Sequence, residues 1–149
     1  MARTDLSFEE LINYRPTVAE PDDFDAFWNE TIEETRSFDL DVQLKPVSTP
    51  YRTVDIQDAS FSGFAGDRIQ AWLLTPRHDN GPRPAVVEFI GYNGGRDVPG
   101  ASLYWSSAGY THLVVDTRGQ GSAWGGGGVT ADPHGAGPHA PGFVTMGIE

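Results

Sequence analysis

Pro84-Ala85-Val86-Val87-Glu88-Phe89-Ile90, taken with Thr111-His112-Leu113-Val114-Val115-Asp116, decides the fold. Each is a short, nearly continuous apolar run, the pattern of a strand covered on both faces of a parallel sheet. Between them lie a glycine-rich turn and a short predicted helix ending near Gly109, so the unit reads strand, helix, strand. A crossover of that kind joins parallel neighbours. Upstream, from Tyr51, the period changes to two. Val54 and Ile56 alternate with polar residues, Ala59 and Phe61 follow, and Ile69, Ala71 and Leu73 alternate again beyond a turn holding Gly63 and Gly66-Asp67. An antiparallel pair is therefore expected ahead of the βαβ unit, which makes the class mixed α/β. Pro76 and His78-Asp79-Asn80-Gly81-Pro82 close the pair as an exposed loop.

Beyond Asp116 the chain turns glycine- and proline-rich, with glycines at 125–128 and Pro133, Pro138 and Pro141, and no regular element is readable. An open parallel sheet needs more than two parallel strands, so the sheet reads as incomplete in this chain. The edge beyond Thr111 to Asp116 is expected to expose apolar surface and to promote association.

Towards the N-terminus, Ser7-Phe8-Glu9-Glu10 has the S-x-x-E form of a capping box, in which hydroxyl and carboxylate satisfy orphan amides at a helix start. That helix should run to about Tyr14, where Arg15-Pro16 stops it. A second helix is signalled by Pro21, by Asp22 and Asp23 in its first turn, and by Phe24, Phe27, Trp28 and Ile32 at helical spacing. Its aromatic stripe reads as a docking face. The division expected is a helical N-terminal extension over 1–50 and the first strands of an α/β domain over 51–149.

Composition removes several functions. Twenty-one acidic residues against ten basic ones give a formal net charge of -11, which repels phosphate backbones and anionic membranes. Neither nucleic acid nor a membrane is expected as a partner. The absence of cysteine excludes disulfides, thiolate metal sites and cysteine nucleophiles together. Polar and acidic residues follow Met1 before any apolar leader core forms, so a soluble cytoplasmic protein is expected.

Gly91-Tyr92-Asn93-Gly94-Gly95-Arg96 leaves the first apolar strand at its carboxyl end, where open α/β sheets build ligand sites. Glycines there let the backbone turn sharply and leave amides free to face a ligand, as an oxyanion hole requires. A tight strand-to-helix turn with no ligand fits the same residues. Dinucleotide binding, with Asp116 on a ribose, is disfavoured because the turn does not read G-x-G-x-x-G. No G-x-S-x-G elbow is present; the stretch around Ser122 lacks both outer glycines, that around Ser102 has only the first, Gly100, and both serines read as ordinary loop or helix-start serines. Asp132, His134 and His139 share no helical face and read as surface loop, so no metal is expected, and no motif calls for a cofactor. His112 reads as a packed or edge histidine. Asp116-Thr117-Arg118-Gly119-Gln120-Gly121-Ser122 reads as a structural hydrogen-bond network, with Asp116 and Arg118 neutralising each other locally.

Several stretches in order resemble the bacterial acetyl xylan esterases, the family that includes cephalosporin C deacetylases. They are Leu11-Ile12-Asn13-Tyr14-Arg15-Pro16, Asp23-Phe24-Asp25-Ala26-Phe27-Trp28, Ser60-Phe61-Ser62-Gly63, the turn from Gly91 to Arg96, the run from Asp116 to Ser122, and Pro141-Gly142-Phe143-Val144-Thr145-Met146-Gly147-Ile148. The resemblance implies the N-terminal half of an α/β-hydrolase esterase with a helical extension, acting on acetylated xylo-oligosaccharides and similar small acetyl esters. It implies that the Tyr92 N–H is one oxyanion donor and the Tyr92 ring shapes the acetyl pocket. Arg118-Gly119-Gln120 matches the family's Arg-Gly-Gln signature. Gly91, Gly94, Gly95 and Asp116 complete the scaffold. A typical member carries its second oxyanion donor, serine, acid and histidine beyond the position of Glu149. The implied partners are a C-terminal half and, for the completed enzyme, further copies of itself. A free half-domain acting as an assembly or binding module is the alternative.

Overall fold

A computed structural model describes residues 5–78, 81–91, 94–119 and 128–132. The chain divides into two compact units, Met1–Glu33 and Glu34–Glu149.

In the first unit, α1 spans Phe8–Asn13 and begins with both halves of the capping box. Ser7 N–H donates to Glu10 Oε2 at 2.9 Å, and Glu10 N–H donates to Ser7 Oγ at 3.4 Å. The helix stops one residue before Tyr14, whose extended ψ suits the chain ahead of Pro16. Helix α2, Phe24–Arg36, starts in this unit and ends just inside the second. Its aromatic stripe packs edge to face, with the Phe27 and Trp28 centroids 5.4 Å apart, and Phe24, Phe27, Trp28 and Ile32 remain exposed.

The second unit is a five-stranded mixed sheet in the order β1-β2-β3-β5-β4, with β1 Gln43–Pro46, β2 Val54–Ser62, β3 Arg68–Pro76, β4 Ala85–Phe89 and β5 Thr111–Val115. β2 and β3 form the expected antiparallel pair, in register from Val54 opposite Pro76 to Ser62 opposite Arg68. β4 and β5 form the expected parallel pair, joined through the short helix α3, Tyr104–Ser107. β1 lies within residues 1–50, in a stretch where the sequence showed no strand pattern. Leu44 alone gives it no visible alternation, and Pro46, which has no N–H to donate, suits an outer strand.

The open edge differs from expectation. β5 is interior, antiparallel to β3 on one side and parallel to β4 on the other. The edge is therefore β4, because the crossover from β4 returns the chain between β4 and β3 instead of beyond β4.

Side-chain alternation gives the sheet two unlike faces. Val54, Ile56, Trp72, Leu74 and Val114 form a buried cluster on one face, with Tyr51, Ile90 and Leu103 packed against it. The other face carries Leu44, Phe61, Leu73, Leu113, Val87 and Phe89. Val87 and Phe89 keep 52% and 76% of their surface exposed.

Candidate active site

The carboxyl ends of β4 and β5 lie side by side, so the turn after each strand emerges at one end of the sheet. In the turn after β4, Gly94 N–H donates to Gly91 O at 2.9 Å. A Cβ at Gly94 would fall 2.4 Å from Ile90 Cγ2 and 3.0 Å from Gly91 O, so only glycine fits there. Gly91 has open space where a Cβ would stand, and crowding does not require it. Gly95 follows, half-buried. Tyr92, expected to be the oxyanion donor, lies outside the described residues, as do Asn93, Gln120, Ser122, His134 and His139.

Asp116 organises this end of the sheet. It is 1% exposed, and its carboxylate accepts three backbone N–H groups: Arg96 at 3.1 Å on Oδ1, and Val129 at 2.6 Å and Thr130 at 2.9 Å on Oδ2. With those bonds made, Asp116 is a structural hub and is not offered to a ribose. Thr130 extends the network: its Oγ1 accepts from Gln70 N–H at 2.9 Å and its carbonyl from Gly119 N–H at 3.1 Å. Gly119 has φ of 69°, and a Cβ there would lie 2.6 Å from Asp132 Cβ, so the turn after β5 also admits only glycine.

The local pairing expected between Asp116 and Arg118 does not form. Arg118 Nη1 instead donates to Asp67 Oδ2 at 2.7 Å, fifty-one residues back in the β2–β3 turn. The Asp116 carboxylate is already occupied by three backbone amides. Among the described residues of this run, Asp116, Arg118 and Gly119 are each held by hydrogen bonds to other parts of the unit, and Gln120, Gly121 and Ser122 lie outside the described residues.

One sequence signal was present without an assigned role. Arg96 ends the glycine motif and is 7% exposed; its Nη1 donates to Asp58 Oδ1 at 2.6 Å and to Ala71 O at 2.8 Å. Asp58 sits on β2 in the same phase as Val54 and Ile56, so an acid at an inward position was the available clue. His112 is fully buried, with Nδ1 3.3 Å from Ser102 O. Its Nε2 lies 2.9 Å from Glu88 Oε2, but the angles do not make a hydrogen bond. It is a packed histidine inside the sheet, as its strand context suggested, and Ser102 meets it only through a carbonyl.

Among the described residues no group of three or more His, Asp or Glu side chains is placed to hold a metal ion, and no helix is long and apolar enough to cross a membrane.

The family model for acetyl xylan esterase matches residues 1–149. Among solved structures, the chain is similar to the acetyl xylan esterase from Paenibacillus sp. R4, at 32% identity and a TM-score of 0.78, covering 96% of this chain and 45% of that one. It is also similar to acetyl xylan esterase 1 from Thermoanaerobacterium sp. JW/SL YS485, at 33% identity and a TM-score of 0.74, covering 88% of this chain and 39% of that one. The chain thus spans less than half the length of these structures, and its mixed sheet is part of an α/β-hydrolase fold. A match that runs from the capped helix through the glycine turn to the last residue places this chain in the acetyl xylan esterase family.

Proposed function

We propose that this chain is the N-terminal half of a serine carboxylesterase that deacetylates acetylated xylo-oligosaccharides and related small acetyl esters such as cephalosporin C. The observation that carries this reading is the family match over all of residues 1–149. The anchored glycine turn at the carboxyl end of β4 supports it, since that is where an α/β sheet builds its reaction centre.

In the completed enzyme a serine from the C-terminal half attacks the acetyl carbonyl while a histidine takes its proton. Tyr92 N–H and a second donor hold the oxyanion, the alcohol leaves with the proton returned by histidine, and water then releases acetate from the acetyl-enzyme. The Tyr92 ring bounds the acetyl pocket. No step needs a metal or cofactor. The C-terminal half is the proposed partner, the completed enzyme is a cytoplasmic homo-oligomer, and the 149-residue chain alone is inactive. One oxyanion donor is worth roughly 2.7–4 kcal/mol, but only where a nucleophile forms the tetrahedral intermediate.

Hydrolysis of p-nitrophenyl acetate tests this directly. The chain alone should match a denatured control, and the completed protein should turn over and be stopped by a serine-directed inhibitor. Inhibitor-sensitive turnover by the chain alone would return attention to Ser102 and Ser122. A completed protein that leaves acetylated xylo-oligosaccharides intact would sink the esterase reading.

A further inference from the structure

Arg96 is held from three sides. Its side chain reaches Asp58 on β2 and the Ala71 carbonyl on β3, at 2.6 and 2.8 Å, while its main-chain N–H donates to Asp116 beyond β5 at 3.1 Å. The guanidinium carbon also lies 3.8 Å from the centroid of the Trp72 ring, a cation–π contact. Trp72 in turn donates from Nε1 to the carbonyl of Asp97, the next residue of the loop, at 2.9 Å. The loop leaving the glycine turn is thereby tied to β2, β3 and the end of β5 within two residues.

A buried cation is a poor source of stability, because desolvating it offsets much of what its ion pair returns. An apolar side chain of similar length would fill the space over Trp72 at lower cost. A planar guanidinium adds direction: it must meet a carboxylate, a carbonyl and a ring face together, which fixes both the position and the rotation of residue 96. We propose that Arg96 is a positioning residue for the esterase reaction, holding the glycine turn so that its amides face the reacting carbonyl. This rests on the esterase reading above. With its side chain turned into the sheet and 7% exposed, Arg96 acts through the loop and does not touch substrate.

The test uses the completed enzyme with Arg96→Lys, Arg96→Met and Arg96→Ala, each with active sites counted by burst titration so that unfolded protein does not contribute. Misplacing a catalytic amide by about an ångström should lower kcat per titrated site roughly 10- to 100-fold in the Met and Ala variants. KM should stay within about twofold, because the lost interaction belongs to the transition state. Arg96→Lys, which keeps the charge but not the plane, should fall between. Millimolar guanidinium should restore part of the Arg96→Ala rate where sodium chloride does not, because it can reoccupy the site over Trp72. Hydrogen exchange of the peptide covering 90–99 should also accelerate in Arg96→Ala. Unchanged kcat per titrated site, or a loss that guanidinium does not reverse, would overturn the proposal. Should the unsubstituted protein hydrolyse no acetyl ester, the esterase reading fails, and exchange still decides the anchor: acceleration confined to the loop supports it, and unchanged exchange rejects it.

Discussion

Ile56 and Phe61 lie five residues apart on β2 and point to opposite faces of the same sheet. Ile56 is buried in a cluster with Val54, Trp72, Leu74 and Val114, closed by Val47 and Tyr51 from the β1–β2 connection and by Ile90 and Leu103 from the crossover between β4 and α3. Phe61 shares its face with Leu73, Leu113, Val87 and Phe89, and the last two remain largely exposed. Apolar residues therefore line both faces, but among the described residues only one face of this unit is fully covered. The difference teaches that the covered face is finished by connections within this chain, the one between β1 and β2 and the crossover between β4 and β5. The other face has the composition of a core without the neighbours that would make it one.

The largest expected effect is on association. The 149-residue chain should self-associate, with the β4 edge and its apolar face as the sticky surface, and pairing Val87→Lys with Phe89→Lys should move it towards monomer. Adding the C-terminal half should restore a soluble complex. Size-exclusion chromatography with light scattering reads all three. A stable monomer with cooperative thermal unfolding would break the comparison between the faces.

Next in size is the cost of truncation on each face, read from urea midpoints of the completed protein. Leu74→Ala, on the covered face, should cost about 2–5 kcal/mol. If the completed protein leaves the other face open, Phe89→Ala should cost less than about 1 kcal/mol. A cost for Phe89→Ala near that of Leu74→Ala would show that the C-terminal half covers it, which sharpens the comparison into a map of the seam.

Asp116→Asn examines the end where the two faces meet. Replacing a carboxylate that accepts three amides by a group with one acceptor oxygen should destabilise by about 2–3 kcal/mol, read as a lowered midpoint. A change within error would mean that the loops after β4 and β5 are held by other contacts.

The smallest effect lies in the first unit. Ser7→Ala should cost roughly 0.5–1 kcal/mol through the lost cap. The Glu10 carboxyl is held below its usual range, first by the Ser7 hydroxyl and second by the Ser7 backbone N–H. A depressed carboxyl stabilises the fold above its ordinary pKa, and that contribution fades as pH falls through the lowered value. The Glu10 carboxyl carbon, followed by NMR, should titrate at higher pH in Ser7→Ala; an unmoved midpoint would remove the hydroxyl as the cause.

The elements that sequence determined on its own are those whose cause is local. Ser7 and Glu10 are one helical turn apart, so the cap of α1 is written within four residues. Period-two alternation through Val54 and Ile56 and again through Ile69 and Leu73, broken by glycines, is enough to specify the β2–β3 pair. Nearly continuous apolar runs around a glycine turn are enough for β4 and β5 to be parallel. The ordered glycine and Arg-Gly-Gln stretches carried the family. Tertiary structure alone decided which strands are neighbours and which charges meet. β5 inserts between β3 and β4, leaving β4 as the edge, because pairing rewards strands that a linear pattern does not rank. Arg118 chooses Asp67 and Arg96 chooses Asp58, fifty-one and thirty-eight residues away, since side chains pair with what the sheet brings within about 3 Å. Sequence spacing holds no record of that distance until the chain has folded.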